Sequence, residues 1–261
     1  MAAKAIFITG GGSGIGQAVA RHFAGQGWFV GLADVNAGGL EETRAMLPAG
    51  MATTHVMDVR DRAAWAGALA DFTKASGGRL DFLFNNAGIA VGGPLANNTD
   101  QEVDNIVGIN LVGVINGARA AYPYLKSTPG SCLVNTASAA AIYGGAGLSL
   151  YAAVKFAVRG FSEALDGEWY PDGIKVRVLM PSFIDTPLLD SMAQGSNQTA
   201  REVVRGRGLE FTSLDVVAQA VWDAPAHNKV HVIVGKTAKQ LAFAQRWLPG
   251  ALRKQMRARF G

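Results

Sequence analysis

Hydrophobic residues form short, nearly continuous runs, and longer segments of helical periodicity separate these runs along the chain. Runs such as AIFI, FVGLA, VRVLM and VHVIV do not alternate with polar residues, which is typical of strands buried on both faces of a sheet. The segments between them are long enough for crossover helices, so the pattern predicts an α/β fold with a doubly wound parallel sheet. We expect seven strands, at residues 5–9, 29–34, 53–58, 81–85, 131–135, 175–180 and 230–234.

The strand-forming region shows no repeat, proline-rich linker or change of composition that would divide it, which predicts a single domain over residues 1–235. Pro187 interrupts the pattern, and the stretch 188–212 is polar, weakly periodic and broken by glycines. We expect this stretch to form a lid. Residues 236–261 form a C-terminal tail of different character.

The tail carries much of the positive charge of the chain. It contains seven Lys and Arg residues and no acid, whereas residues 1–235 are mildly acidic, which argues against a nucleic-acid-binding protein. The spacing of its apolar residues predicts two short amphipathic helices on either side of a Pro-Gly pair. We expect their apolar faces to pack on the body of the protein or on a neighbouring subunit, and the alternative is peripheral contact with an anionic membrane. The apolar positions are Leu241, Phe243, Trp247, Leu248, Leu252, Met256 and Phe260.

Composition also restricts compartment and metal chemistry. No apolar run approaches the roughly 18 residues of a membrane span, and the segment before Thr9 is short for a secretory signal, so we expect a cytoplasmic protein. Cys132 is the only cysteine, and the four histidines show no ligand spacing beyond a weak pair at His227 and His231. We therefore expect no metal site.

A glycine-rich turn follows the first strand and precedes a helical run. Gly10, Gly14 and Gly16 would let backbone amides approach a pyrophosphate, which also meets the positive end of the helix. Asp34 ends the second strand 18 residues after Gly16, close to the roughly 20 residues at which an acid accepts hydrogen bonds from a ribose. An ordinary tight turn, with Asp34 as a turn or helix-capping acid, is the alternative.

A second pattern, Tyr151-Ala-Ala-Val-Lys155, places a phenol and an ammonium four residues apart on one helix face. A nearby cation stabilises a phenolate and lowers its pKa, so this pair could exchange a proton with an alcohol or a carbonyl. Taken alone, the pair could equally be two surface residues of a helix.

Together these features resemble the short-chain dehydrogenase/reductase family in its single-domain, Rossmann-like form. The resemblance covers residues 5 to about 235 and rests on the order of the motifs. It runs through Thr9-Gly10-x-x-x-Gly14-Ile15-Gly16, Asp34, Asp58-Val59, Asn85-Asn86-Ala87-Gly88, Asn110, Ser138, Tyr151-x-x-x-Lys155 and the segment from Pro181 to Thr186.

The resemblance implies that residues 1–235 form a dinucleotide-binding and catalytic domain with NAD as the cofactor. In the family, the glycines hold the dinucleotide, the acid at Asp34 selects NAD over NADP, and the acid at Asp58 lies near the adenine. The implied cofactor-binding residues are Gly10, Ser13, Gly14, Ile15, Gly16, Asp34, Asp58, Val59, Asn86, Ala87, Lys155, Pro181, Ile184 and Thr186. For Asn86 and Ala87, support of the sheet is the alternative role.

The resemblance also assigns the chemistry. Tyr151 is the general acid/base, Lys155 lowers its pKa and binds the nicotinamide ribose, Ser138 hydrogen-bonds the reacting oxygen, and Asn110 supports a proton relay. The implied function is an NAD-dependent oxidoreductase that interconverts a secondary alcohol and a ketone. A dinucleotide-binding sensor or scaffold without turnover is the alternative, because fold alone does not establish function. The family also implies a homodimer or homotetramer formed through residues 101–125 and 151–170.

The chain departs from the family pattern at two places. Ser182 stands where the family has glycine after Pro181, and the chain continues from Gly235 into the tail instead of an Asp-Gly-Gly sequence. The expected substrate pocket is chiefly small or apolar, which favours an uncharged, lipophilic alcohol or ketone. It comprises residues 90–95 and 139–148 with Phe183, Leu188, Leu189 and Met192, and the lid could add Arg201, Arg205 or Arg207 as anion-binding groups.

Overall fold

The computed structural model describes residues 3–190, 198–206 and 208–258. Seven parallel strands form one sheet in the order β3-β2-β1-β4-β5-β6-β7, which confirms the predicted doubly wound fold. The strands are β1 Ala5–Thr9, β2 Phe29–Asp34, β3 Ala52–Val56, β4 Phe82–Asn85, β5 Cys132–Thr136, β6 Lys175–Pro181 and β7 His231–Val234.

Helices cover both faces of this sheet, so its strands are buried on both sides. On one face α1 and α8 pack over Ile6, Ile8 and Val134, and on the other α3 and α5 pack over Phe7 and Leu133. The helices are α1 Gly14–Gly25, α2 Ala37–Ala45, α3 Arg62–Ala75, α4 Asp100–Val107, α5 Gly113–Lys126, α6 Ser149–Trp169, α7 Ala200–Gly206, α8 Leu214–Asp223, α9 Lys236–Trp247 and α10 Pro249–Ala258.

The ends of the strands differ from the prediction by up to two residues. The largest difference is at β3, which ends at Val56, because the amides of Arg60 and Asp61 bond Asp58 and turn the chain away. The predicted lid also contains regular structure, with a short turn at Pro187–Asp190 followed by α7. Met192 and Arg207 lie outside the described residues.

The tail forms the two helices that its periodicity predicts. The inward face of α9 packs on the body of the protein, because Ala238 is fully buried and Leu241 and Ala242 contact the cluster around Ile142 and Val178. In α10, Leu252 is buried as well.

A chain of buried side-chain hydrogen bonds joins the central strands to α6. Asn85 Nδ2 donates to Asn135 Oδ1 at 3.0 Å, Asn135 Nδ2 donates to Ser162 Oγ at 3.0 Å, and Ser162 Oγ donates to the Val158 carbonyl at 2.7 Å. Asn85 Nδ2 also donates to the Val114 carbonyl of α5 at 3.2 Å. Buried amides cost free energy unless they are bonded, so these contacts favour one position of α6 relative to β4 and β5.

The two departures from the family pattern lie against each other. Gly235 has φ +94°, and a Cβ atom on it would lie 2.6 Å from Ser182 Oγ and 2.5 Å from Thr212 Oγ1. The Ser182 side chain therefore occupies space that is free only because residue 235 is glycine.

Gly16 is the point of closest approach between α1 and the end of β1. A Cβ atom on Gly16 would lie 2.0 Å from the Gly10 carbonyl oxygen and 2.7 Å from its carbonyl carbon. Backbone atoms cannot move aside as a flexible side chain can, so any side chain at residue 16 must push α1 away from the sheet.

We expect Gly16→Ala to lower the free energy of unfolding by about 1–3 kcal/mol, because the helix and the glycine turn must separate. Gly25→Ala is the matched control, since Gly25 lies in the same helix and an added Cβ would meet nothing within 4 Å. That variant should be neutral or stabilising by up to about 1 kcal/mol. Chemical denaturation of both variants checks this, and equal effects at the two glycines would contradict the packing argument.

Candidate active site

The winding direction of the sheet reverses between β1 and β4, and a cleft lies at the carboxyl ends of these strands. Such a crevice is where open α/β sheets bind ligands. Its volume is about 380 Å³, and it contains most of the residues that the sequence analysis assigned to the cofactor. Those lining it are Gly10, Ser13, Gly14, Ile15, Asp34, Asp58, Val59, Asn86, Ala87 and Thr186.

Four of the assigned cofactor residues lie outside this lining. Gly16 packs against Gly10, as described above, and Lys155 is buried beyond the Gly88 end of the cleft. Pro181 pairs with Val234 at the end of β6. Ile184 is buried and forms an isolated bridge with Thr212. These residues shape the surroundings of the cleft rather than its surface.

The glycine turn gives the cleft a floor of backbone. Gly10 and Gly14 have φ values of +68° and +52°, which residues with side chains rarely adopt. A Cβ atom on Gly10 would lie 2.9 Å from Asn86 Nδ2, and one on Gly14 would lie 3.1 Å from Thr186 Cγ2. The turn thus brings the positive N-terminal end of α1 to the cleft, as binding of a pyrophosphate requires.

Asp34 faces the glycine turn from the end of β2. Its Oδ2 accepts from the Gly12 amide at 3.1 Å, and its Oδ1 accepts from the Asn36 amide at 3.0 Å. The cap of α2 is Asn36, whose Oδ1 accepts from the Gly39 amide at 3.1 Å, so Asp34 does not cap that helix. Asp34 is partly buried at the wall of the cleft, where a ribose-binding acid is expected.

Sequence reasoning missed Arg60, which also lines the cleft. Its Nη2 lies 2.6 Å from Asp58 Oδ2, and its Nη1 donates to Asn105 Oδ1 at 3.1 Å. The guanidinium holds the pKa of Asp58 below its usual range. The pair leaves little net charge at this end of the cleft. The sequence did contain a signal for this pairing, because Arg60 is a cation two residues after the assigned acid Asp58.

The Asn86-Ala87 segment is tied to the end of β1. Thr9 Oγ1 accepts from the amides of Asn86 and Ala87 at 3.0 and 3.1 Å, and Asn86 Nδ2 donates to the Thr9 carbonyl at 3.1 Å. The segment therefore both supports the sheet and lines the cleft, and its contact with a cofactor stays a prediction.

Asn110 lies in a turn of π-helix, Gly108–Val112, between α4 and α5. Its Oδ1 accepts from the Ile89 amide and its Nδ2 donates to the Ile89 carbonyl, both at 2.8 Å. The buried amide is thus engaged on both sides by the loop after β4. In the structure this side chain positions that loop, and its part in a proton relay stays a prediction.

Ser138, Tyr151 and Lys155 converge beside this cleft. Tyr151 lies in the first turn of α6, and Ser138 is near enough for its hydroxyl to lower the pKa of the phenol. The Ala140 amide donates to Ser138 Oγ at 3.2 Å and fixes the serine at the start of a short turn. One turn further along α6, Lys155 Nζ donates to the Thr136 carbonyl at 2.9 Å and lies 5.6 Å from the centre of the Tyr151 ring.

The environment shifts the two pKa values in opposite directions. Burial raises the pKa of Tyr151, and the hydrogen bond from Ser138 offsets only part of this effect. Burial lowers the pKa of Lys155 to about 8. The raised pKa keeps Tyr151 protonated at neutral pH. Lys155 donates its hydrogen bond to the Thr136 carbonyl, and its expected effect of lowering the pKa of Tyr151 stays a prediction.

The mouth of the site is apolar. The Gly93 amide donates to the Gly147 carbonyl at 2.8 Å and brings together the two loops that were predicted to form the substrate pocket. Leu95, Leu148 and Leu188 expose large apolar side chains on these loops and on the turn after β6.

Arg201, one of the lid cations considered from sequence, is already engaged within the lid. It forms an ion pair with Asp185, its Nε donates to Asp190 Oδ1 at 2.7 Å, and its Nη2 donates to the Thr186 carbonyl at 3.0 Å. These bonds hold the guanidinium against residues 185–190, so it is not arranged to bind an anionic substrate.

Comparison with known proteins identifies the family. The family model for short chain dehydrogenases matches residues 4–197, and the chain belongs to this family of oxidoreductases. It is 33% identical over 208 residues to meso-2,3-butanediol dehydrogenase of Serratia marcescens, covering 79% of this chain and 82% of that protein. It is 36% identical over 205 residues to levodione reductase of Leifsonia aquatica, covering 76% of each.

A solved structure supports the same assignment. A short-chain dehydrogenase/reductase from Burkholderia phymatum in complex with NAD superimposes with a TM-score of 0.80 at 28% identity, covering 88% of each chain. Within the described ranges, none of the helices combines the length and hydropathy needed to cross a membrane. The same residues contain no group of three or more His, Cys, Asp or Glu side chains arranged to hold a metal.

The buried ammonium predicts a specific pH dependence of stability. The folded-state pKa of Lys155 is about 8, whereas that of a lysine in an unfolded chain is about 10.4. Between these values the unfolded chain binds more protons, so stability rises with pH. We expect the free energy of unfolding of the wild type, relative to Lys155→Met, to rise by about 2 kcal/mol between pH 7 and 10.

Denaturant titrations across this pH range measure the difference. Lys74→Met is the control for removal of a lysine in general, because Lys74 is exposed on α3. The window ends at pH 10, since the raised pKa of Tyr151 acts in the opposite direction above it. A pH-independent difference for Lys155→Met would show that this ammonium is not desolvated.

Proposed function

We propose that this protein is an NAD-dependent enzyme that interconverts a secondary alcohol and the corresponding ketone. The observation that carries the proposal is the arrangement of Ser138, Tyr151 and Lys155 beside a cleft with a glycine turn and an acid on its wall. A sensor or scaffold would need the cleft but not a buried phenol beside a serine hydroxyl and a buried lysine.

The cofactor supplies hydride transfer when it is bound, and the residues of the chain manage the proton. In reduction, neutral Tyr151 donates its hydroxyl proton to the carbonyl oxygen of the substrate while the Ser138 hydroxyl hydrogen-bonds that oxygen. The Lys155 ammonium favours the phenolate that forms. This support weakens at pH 8 and above, because a larger fraction of Lys155 is then neutral. In oxidation, the phenolate accepts the proton of the alcohol.

NAD is the proposed cofactor because of the charges at the ribose end of the cleft. Asp34 presents a carboxylate held by Gly12 and Asn36, and it would meet the additional phosphate of NADP at close range. Arg60 is a cation in the same cleft, but its guanidinium is paired with Asp58. The NAD bound in the Burkholderia phymatum relative supports the same choice.

The proposed substrate is an uncharged, fairly lipophilic alcohol or ketone. Leu95, Leu148 and Leu188 are exposed on the loops expected to form the pocket and on the turn after β6, and the lid residue Arg201 is bonded to Asp185 and Asp190. One relative is named for a diol and another for levodione, which supports an alcohol or ketone substrate here as well.

The test of the proposal is a substrate panel with purified protein. NADH formation from secondary alcohols of increasing chain length should exceed that from hydroxy acids of similar size. A preference for the anionic substrates would overturn the substrate assignment. NAD binding without turnover of any alcohol or ketone would support the sensor or scaffold instead. Homodimer or homotetramer assembly, a cytoplasmic location and the absence of nucleic-acid binding stay predictions.

We expect Tyr151→Phe to lower kcat/KM by about 10²- to 10⁴-fold, because it removes the proton that the reaction transfers and leaves the ring in place. NAD binding, followed by fluorescence titration, should be retained. Tyr170→Phe, at an exposed tyrosine at the end of the same helix, serves as the control and should keep full activity. An active Tyr151→Phe variant would mean that another group supplies the proton.

We expect Asp34→Asn to raise the ratio of kcat/KM with NADP to that with NAD by at least about tenfold. The substitution keeps an oxygen that can accept a hydrogen bond from Gly12 and removes the negative charge. Steady-state kinetics with both cofactors measure the ratio, and Glu42→Gln, at an exposed acid on α2, is the control. Equal use of the two cofactors by the wild type would refute the assignment of Asp34.

A further inference from the structure

The outward surface of the C-terminal helices combines aromatic and basic side chains. Phe243, Trp247 and Leu248 are 60%, 62% and 53% exposed. Lys239 and Arg246 are exposed beside them on α9. We refer to these five residues as the basic-aromatic face.

This face is not needed to hold α9 on the protein. Successive helical residues are separated by about 100°, so the inward positions Ala238, Leu241 and Ala242 lie on the side opposite Phe243 and Trp247. The inward positions pack on the core and already fix the helix. An exposed group of large apolar side chains is unusual for a monomer surface and marks a surface that another body covers.

The tail itself carries charge of one sign. From Lys236 to the end of the chain there are seven cations and no acid, and Arg253, Lys254 and Arg257 are exposed on α10. Glu210 lines a surface cleft with Lys236 and Lys239, whereas Arg246 and the cations of α10 lie further along the tail.

Trp247 lies beside a cation. The Arg246 guanidinium lies 5.2 Å from the centre of the Trp247 ring. Tryptophan favours the headgroup region of a bilayer, where its ring is embedded and an adjacent cation can contact lipid phosphates.

We propose that the basic-aromatic face binds the surface of a membrane that contains anionic lipid. Phe243 and Trp247 insert among the headgroups, and Arg246 with the cations of α10 bind the lipid phosphates. A second copy of the chain is disfavoured as the occupant, because a two-fold interface would place these uncompensated cations against their own equivalents.

The test is flotation of the full-length protein with vesicles. Vesicles of equal parts phosphatidylcholine and phosphatidylglycerol should carry the protein at low salt, and vesicles of phosphatidylcholine alone should not. High salt should release most of the bound protein, because screening weakens the attraction between the cations and the surface. Absence of binding to the anionic vesicles at low salt would overturn the proposal.

Matched variants distinguish an effect of the tail cations from an effect of the net charge of the protein. Arg246→Glu/Lys254→Glu should lower the fraction bound by more than about tenfold. Arg21→Glu/Lys74→Glu makes the same change of net charge on exposed residues of α1 and α3, and it should retain most of the binding. Equal losses in both double variants would show a non-specific effect of net charge and would contradict a defined face.

The aromatic contribution has its own comparison. Trp247→Ser should weaken vesicle binding, whereas Tyr170→Ser, at a residue that is 81% exposed at the end of α6, should not. Brominated phosphatidylcholine in the anionic vesicles should quench the fluorescence of the wild type, and Trp247→Phe should lose most of that quenching.

Alternative occupants give different results in the same experiments. Light scattering that shows an oligomer dissociated by Trp247→Ser, together with no vesicle binding, would assign the face to a second copy and overturn the proposal. All tail variants should retain alcohol oxidation, because membrane binding by the tail does not depend on the reaction. A failure of the membrane proposal can therefore be distinguished from a failure of the proposed function.

Discussion

The junction between β1 and β4 is the contact on which the site depends. A parallel sheet that reverses its winding leaves a crevice where the chain departs in opposite directions from two adjacent strands. The Thr9 hydroxyl closes the base of that crevice by accepting the amides of Asn86 and Ala87. One small side chain thereby fixes the glycine turn on one strand relative to the loop on the other, and Asn110 continues the same connection through Ile89. The cleft is a property of this backbone framework, onto which the reactive side chains are added.

Burial shifts the pKa values of Tyr151 and Lys155. The same dry environment favours the neutral form of both groups, because it keeps Tyr151 protonated and makes Lys155 easier to deprotonate. The Thr136 carbonyl takes the ammonium as a hydrogen-bond partner and thus orients it without neutralising it. A carboxylate in place of the Thr136 carbonyl would instead have paired with the ammonium and neutralised its charge.

The parts of this picture that could be predicted from sequence are those with a local cause. Buried runs such as AIFI predict strands because both faces of the sheet are covered, and Gly10, Gly14 and Gly16 predict a close backbone turn because no other residue fits. Contacts between distant segments left no such signal. The bonds of Arg60 to Asn105 and of Asn110 to Ile89 depend on where loops meet in space. The burial that raises the pKa of Tyr151 had no signal either, because the four-residue spacing to Lys155 shows that the groups are near each other but not how dry their surroundings are.

The contact between Ser182 and Gly235 has a consequence for how this sequence can change. The serine hydroxyl and that of Thr212 both border the space in which a side chain at residue 235 would begin. Restoring glycine at residue 182 would free only one side of that space, since Thr212 would still be within 2.5 Å of the new atom. The positive φ at residue 235 would still favour glycine there. Residues 182, 212 and 235 therefore form an epistatic unit. Sequence change at the junction of β7 with the C-terminal helices is limited to combinations in which residue 235 adds no side chain to the space beside Ser182 and Thr212.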